Sequence, residues 1–284
     1  MKRFIGVLLL GMVALSATAK GRVEAFTVKS ALLGVEKVCS VYLPEGYDPA
    51  KRYPVLYLLH GASGTHRSWI DEGDMLRICD ETIAEGKAVP MIVVMPDASG
   101  EGPRHNGFGM GYFNVEGWPY ERFFFEEFMP AVEAHYPIRA ERCYRAVAGL
   151  SMGGGGSAVY ALRHPELFGA SCPLSGALDS MAYNKKRHPA YMKAIADNYT
   201  LRVLREQSDE GRALVRTVRW WVDCGDDDYL YMGNIRFYMA FREQGIPIEF
   251  RMRDGGHTWR YWQTALPDVL TFISVGFANA AMAE

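Results

Sequence analysis

The run Gly149-Leu150-Ser151-Met152-Gly153 sets a serine between two glycines, each two positions away. G-x-S-x-G is the spacing of a strand-to-helix turn sharp enough to hold a serine in a strained backbone conformation with its hydroxyl exposed. A β-carbon at either glycine would crowd that turn. A hydroxyl is a weak nucleophile at neutral pH and needs a histidine base, itself oriented by a carboxylate. In folds built on this turn the acid and then the histidine follow the serine along the chain. Three histidines follow Ser151. His164 stands before Pro165 at the expected end of a helix and reads as a surface residue, and His188 lies in a polar segment. His257, in "DGGHTWRYW", sits on a glycine-flanked loop after the last expected strand, the slot of the base.

The acid belongs after "RWWVDCG", where Asp226, Asp227 and Asp228 are all available. Three adjacent carboxylates cannot all turn inward, and spacing does not choose between them. Asp223 falls within the strand, Asp254 lies close to His257 in the chain, and Asp179, after the preceding strand, is the fallback. With such a set, His257 takes the proton of Ser151 as the oxygen attacks a carbonyl carbon. The resulting oxyanion needs two backbone N–H donors. One is expected from Met152, at the start of the helix, and the other from Ala62, in the loop after "YLLHG", which His60 would help to shape.

The four consecutive glycines from Gly153 to Gly156 invite phosphate-binding readings as well. A P-loop needs a lysine, which residues 146–159 lack. The relaxed dinucleotide fingerprint occurs as Gly153, Gly155 and Ala158. It belongs on the first strand–helix turn of its fold, however, and several strands precede this one. The extra glycines are therefore expected to let the helix start lie close against neighbouring strands.

These residues need a frame. Apolar, β-rich runs recur at "KVCSVYLP", "YPVLYLLHG", "PMIVVMPDA", "CYRAVAGLS", "GASCPLSG", "RWWVDCGDDD" and "IEFRMRDGG". Helical stretches such as "YERFFFEEFMPAVEAHY" and "SAVYALRHPELF" alternate with them. Near-continuous apolar strands separated by helices predict an α/β fold with a mostly parallel sheet covered on both faces, the working residues gathering where strands end. Residues 181–219 are polar, helical in pattern and too long for a simple crossover, so they are expected to form a small cap. The loop Ser99–Tyr120, with six glycines and the aromatics Phe108, Tyr112, Phe113, Trp118 and Tyr120, is a second candidate pocket wall. Tyr112, Trp118 and, beyond the histidine, Trp259 are the pocket candidates.

At 284 residues, 49% hydrophobic and 23% charged, the chain has an ordinary globular composition. "MKRFIGVLLLGMVALSATA" joins a positive start, a short apolar core and an Ala17-Thr18-Ala19 site, the pattern of a secretory signal peptide. Cleavage would leave residues 20–284 as one domain and take the formal charge from −2 to −4. That mild acidity offers no clustered basic face for nucleic acid. Apart from the signal, no apolar span of about 20 residues is read, so no membrane span is expected in the exported protein. The five cysteines show no metal-ligand spacing, and their odd number leaves at least one without an internal partner. No cofactor or metal is expected; the partner is an ester substrate, small or attached to polysaccharide.

At these residues the chain resembles the esterase D-like branch of the α/β-hydrolases. That branch includes S-formylglutathione hydrolases, tributyrin-type esterases, the feruloyl and acetyl-xylan esterases of carbohydrate esterase family one, and mycolyltransferases. The matching pieces are "YPVLYLLHGASGTHRSW", "YERFFFEEFMPAVEAHYPI", "AVAGLSMGGGGSAVYAL", "PLSGALD", "CGDDDYLY" and "GGHTWRYW", spread over roughly residues 35 to 265. The family pattern resembles C-G-T-x-D-F-L, whose aspartate aligns with Asp228; Asp226 replaces the threonine and Tyr229 the phenylalanine. The resemblance thus implies Asp228 as the acid and supports Ala62 and Met152 as oxyanion donors. It implies an exported serine carboxylesterase acting on feruloyl or acetyl esters of plant polysaccharide. An intracellular thioester substrate fits export poorly. Transfer of the acyl group to a sugar hydroxyl, or a general short-chain esterase, would use the same residues. A carbohydrate-binding relative without activity conflicts with the complete set of three residues. Many serine peptidases of this fold carry a large extra domain, for which this chain has no room.

Overall fold

The computed structural model describes residues 20–100, 111–179 and 189–283. The expected signal at residues 1–19, Phe108, His188 and the start of the expected cap lie outside the described residues. Eight strands form one sheet: β1 (Arg22–Lys29), β2 (Glu36–Leu43), β3 (Val55–Leu59), β4 (Ile92–Met95), β5 (Arg145–Leu150), β6 (Ala170–Leu174), β7 (Arg219–Gly225) and β8 (Glu249–Arg253). Their order is β1-β2-β4-β3-β5-β6-β7-β8. β2 pairs antiparallel with both β1 and β4, and every pair from β4 to β8 is parallel.

The period of two along the strands explains the layers. Val55, Tyr57 and Leu59 of β3 join one apolar cluster, whereas Leu56 and Leu58 join another on the opposite face. β4 divides in the same way, Ile92 and Val94 from Val93 and Met95. Such strands are buried on both faces because helices cover both. On the first face lie a helical stretch α2 (Tyr120–Phe123, a π turn Phe124–Phe128, then Met129–His135), α3 (Met152–Arg163) and α7 (Tyr231–Glu243). On the second lie α1 (Met75–Ala84) and α8 (Trp259–Met282). β1 is an edge strand with mixed burial, and the sequence reading does not single it out.

Two expectations change here. α8 is long and apolar enough to cross a membrane by length and composition, with a mean hydropathy of 1.4 over its best window. The sequence reading passed over it, and its Trp262, Leu266, Val269, Ile273 and Phe277 pack into the core of the second face. The expected cap, in its described part, consists of α4 (Pro189–Asp197), α5 (Thr200–Arg205) and α6 (Asp209–Val215). Leu201, Val203, Leu204 and Val215 are buried in the first-face core, and the Gln207 side chain donates to the Leu162 carbonyl of α3 at 2.8 Å. These helices extend the layer around α3.

All five thiols are free, and only Cys143 is exposed. Burial pushes the Cys39 and Cys224 thiols up to about 12 and raises those of Cys79 and Cys172 as well. Because the thiolate is the reactive form, one thiol is expected to react with a chromogenic disulfide reagent in the native protein and all five after denaturation. Two or more fast thiols in the native protein would contradict this packing.

Candidate active site

β3 leads to β4 on one side, and the chain then crosses to β5 on the other, so the strand order reverses between β3 and β5. A crevice opens at the carboxyl ends of strands at such a switch point. The loop after β3 and the turn after β5 meet there. Ser151 is that turn, at φ +55° and ψ −114°, a backbone region that costs a non-glycine residue on the order of 1–3 kcal/mol. Hydrogen bonds from both sides over-determine it: Ser151 N–H donates to the Leu174 carbonyl at 2.9 Å, and Ala177 N–H donates to the Ser151 carbonyl at 3.0 Å.

The glycines act by close approach. A β-carbon on Gly149 would lie 2.6 Å from the Gly153 carbonyl oxygen, and one on Gly153 would lie 2.6 Å from the Leu59 and His60 oxygens. The rest of the run serves the packing of α3, since a β-carbon on Gly154 would meet Gly176 at 2.7 Å.

Asp228 and His257 arrive on two loops zipped together. Asp226 N–H donates to the Arg253 carbonyl and Asp227 N–H to the Gly255 carbonyl, both at 3.0 Å. Gly225 and Gly255 are so close that a β-carbon on Gly225 would stand 2.0 Å from the Gly255 oxygen. This pairing leaves Asp226, Asp227 and Asp254 exposed and turns Asp228 inward, 1% exposed. His257 Nδ1 lies 2.7 Å from Asp228 Oδ2, and His257 Nε2 lies 2.9 Å from Ser151 Oγ. An ionised carboxylate only accepts, so Nδ1 carries the proton and Nε2 presents its lone pair to the serine hydroxyl.

Burial alone would raise the Asp228 pKa. It is outweighed by hydrogen bonds from His257, the Leu230 N–H (2.8 Å) and Ser175, which hold the carboxyl below its ordinary range. The Ser175 hydroxyl also accepts from Trp262 Nε1 at 3.1 Å, and the Trp262 ring meets His257 edge-on at 4.9 Å. Asn234, fully buried, ties the same turn to the loop after β6: its side chain donates to the Gly176 and Leu230 carbonyls and accepts from the Gly176 N–H. Sequence reading missed Ser175, Asn234 and Trp262, whose roles depend wholly on distant neighbours.

His60 is buried and neutral in tendency, burial lowering its pKa. Its Nε2 accepts the Ala98 N–H at 2.9 Å, so Nδ1 carries the proton and donates to the Gly61 carbonyl at 2.7 Å. That bond braces the loop bearing Ala62. Gly61 to Gly64, Ser68, Glu72, Leu150, Ser151, Tyr229, His257, Thr258, Trp259 and Trp262 line a pocket of about 420 Å³. Met152 is the first residue of α3, where backbone N–H groups have no intrahelical acceptor.

Of the three pocket candidates, Trp259 is in this wall, edge-on to Trp69 and Trp262. Tyr112 and Trp118 are not: both are buried in the first-face core. Tyr112 packs where a Gly156 β-carbon would stand, 2.8 Å from its ring, and its hydroxyl donates to the His60 carbonyl. Trp118 lies under Lys37, in a short hairpin (Asn114–Val115 with Trp118–Pro119) folded inward. Asp179, the fallback acid, pairs with Tyr199 and Arg236. Asp223 takes a hydrogen bond from Tyr261 and pairs with Arg253. His164, at the end of α3, is partly exposed to solvent and packs against Phe125.

Comparison with known proteins places this arrangement. The Esterase family model matches residues 30–273. A solved ferulic acid esterase superposes with a TM-score of 0.84 at 38% identity, over 90% of this chain and 99% of that one. The endo-1,4-beta-xylanase/feruloyl esterase of Xylanibacter ruminicola is 37% identical over 161 residues, 55% of this chain. This chain spans only 22% of that longer protein. The acetyl esterase of Caldicellulosiruptor saccharolyticus is 27% identical over 236 residues, 77% of this chain and 82% of that protein. The matched span contains the ends of β3, β5, β7 and β8, and with them every loop that frames Ser151. The chain belongs to the Esterase family, on the α/β-hydrolase fold.

Proposed function

We propose that the protein is an exported serine carboxylesterase that removes feruloyl or acetyl groups from plant polysaccharide. The observation that carries this reading is the hydrogen-bonded series Ser151–His257–Asp228 at the floor of a pocket walled by Trp259. His257 Nε2 takes the hydroxyl proton as Ser151 Oγ attacks the ester carbonyl, and Asp228 stabilises the imidazolium that forms. The N–H groups of Ala62 and Met152 receive the oxyanion. Protonation of the leaving alcohol by His257 then gives an acyl-enzyme, and water repeats the sequence to release the acid. The indole of Trp259, set against Trp69, offers an apolar flank for an aromatic acyl group. Likeness to a ferulic acid esterase and an acetyl esterase supports this acyl range. The N-terminal pattern at residues 1–19 supports export.

A substrate panel tests the reading: methyl ferulate, acetylated xylan and p-nitrophenyl esters of increasing chain length. Methyl ferulate and acetylated xylan are expected to be cleaved, and kcat/KM for the p-nitrophenyl series to fall by about tenfold or more beyond short chains, a difference of about 1.4 kcal/mol in transition-state binding. A preference for long acyl chains, with methyl ferulate and acetylated xylan inert, would overturn it.

A further inference from the structure

Eight large hydrophobic side chains are exposed among the described residues, and three of them, Tyr229, Tyr231 and Met232, fall within four consecutive positions. These follow the acid Asp228 directly and lead into the first turn of α7. Tyr229 is 70% exposed, yet its ring centroid is 4.6 Å from that of His257, and it lines the pocket that holds Ser151. Trp262 closes another side of the imidazole and is buried. Tyr229 is thus the solvent-facing ring beside the base.

Its position relative to the reaction follows from proton transfer. The leaving-group oxygen has to lie against His257 Nε2 to receive its proton, so the group bordering this side of the site belongs to the alcohol and not to the acyl chain. We infer that Tyr229 is an alcohol-side subsite on which the sugar ring carrying the ester stacks. A sugar presents an apolar C–H face to a ring while its hydroxyls stay in water, which suits an exposed aromatic at a pocket rim. The exposed carboxylates of Asp226 and Asp227, immediately before the acid, favour a neutral sugar over a uronic acid.

This inference rests on the polysaccharide-ester reading above and has its own readout. The measurement is the ratio of kcat/KM for a feruloylated arabinoxylan oligosaccharide to that for methyl ferulate, which share an acyl group and differ only in the alcohol. Tyr229→Ala is expected to lower the ratio by about fivefold to tenfold, mainly through KM of the sugar ester, as fits the loss of one ring contact. Tyr229→Phe keeps the ring and is expected to hold the ratio. An unchanged ratio in Tyr229→Ala, whatever happens to the absolute rates, overturns the subsite, because the residue then serves both alcohols alike. If neither ferulate ester is cleaved by the wild type, the acyl reading fails by itself. The ratio for acetylated xylo-oligosaccharide against methyl acetate then decides the subsite by the same criterion.

Discussion

Ser151→Ala is expected to lower kcat for p-nitrophenyl acetate by roughly 10⁶-fold, the scale on which loss of a nucleophile in such a unit is felt. Ser151 Oγ is the atom that His257 Nε2 faces at 2.9 Å. His257→Ala should cost about as much, since a serine without its base is as idle as a base without its serine. The double variant should therefore be no slower than either single one. Folding is expected to survive, because the backbone bonds that hold the turn come from Leu174, Gly155 and Ala177 and not from the hydroxyl. Single-turnover and steady-state hydrolysis, with melting temperature as the control, check this. Retention of a percent or more of wild-type kcat by Ser151→Ala would remove the serine from the mechanism.

The second large effect concerns the acid. Asp228→Asn should reduce kcat by about 10⁴-fold, whereas Asp226→Asn and Asp227→Asn should stay close to wild type. An asparagine at position 228 can keep the Leu230 N–H contact through its Oδ1 while its Nδ2 faces His257 Nδ1 as a donor. The imidazole would then hold its proton on Nε2 and present a donor to Ser151, the wrong tautomer for a base. Since Asp228 is held below the ordinary carboxylate range, it stays ionised throughout the mildly acid range and adds no proton of its own there. The acid limb of log kcat/KM against pH should therefore have a slope of one, the signature of a single proton. A slope of two would put the carboxylate's titration into the same range. Equal losses at positions 226, 227 and 228 would mean that no one carboxylate orients the histidine.

The nucleophile turn was legible in the sequence because its determinants are local. Gly149, Ser151 and Gly153 lie within five residues, and the steric demand that makes glycine necessary acts over that span. The strands of the central sheet were legible for a similar reason: burial on both faces turns each into a short apolar run. His257 was found by chain order, which the fold's connectivity imposes. Chain order could not separate Asp228 from its two neighbours, and only the resemblance to a known family did so. In the structure the decision is made by the zipper between the turns after β7 and β8, which points two carboxylates to water and one inward.

Residue type also failed to predict exposure among the aromatics. Tyr112 and Trp118 share the composition of a pocket wall, but both are buried in the core, Trp118 on an inward-folded hairpin and Tyr112 just before it, filling the space left by Gly156. Tyr229 has the same character and is left in solvent beside the imidazole. The sequence by itself determined the chemistry available, a serine on a strained turn with a histidine in the required order, and the layered sheet that carries it. Which carboxylate turns inward to the histidine, which aromatics border the pocket, and which buried groups, Ser175 and Asn234 among them, hold that carboxylate and its loop were decided by the tertiary structure. Each of these depends on burial and on contacts between segments tens of residues apart, and no local pattern encodes them.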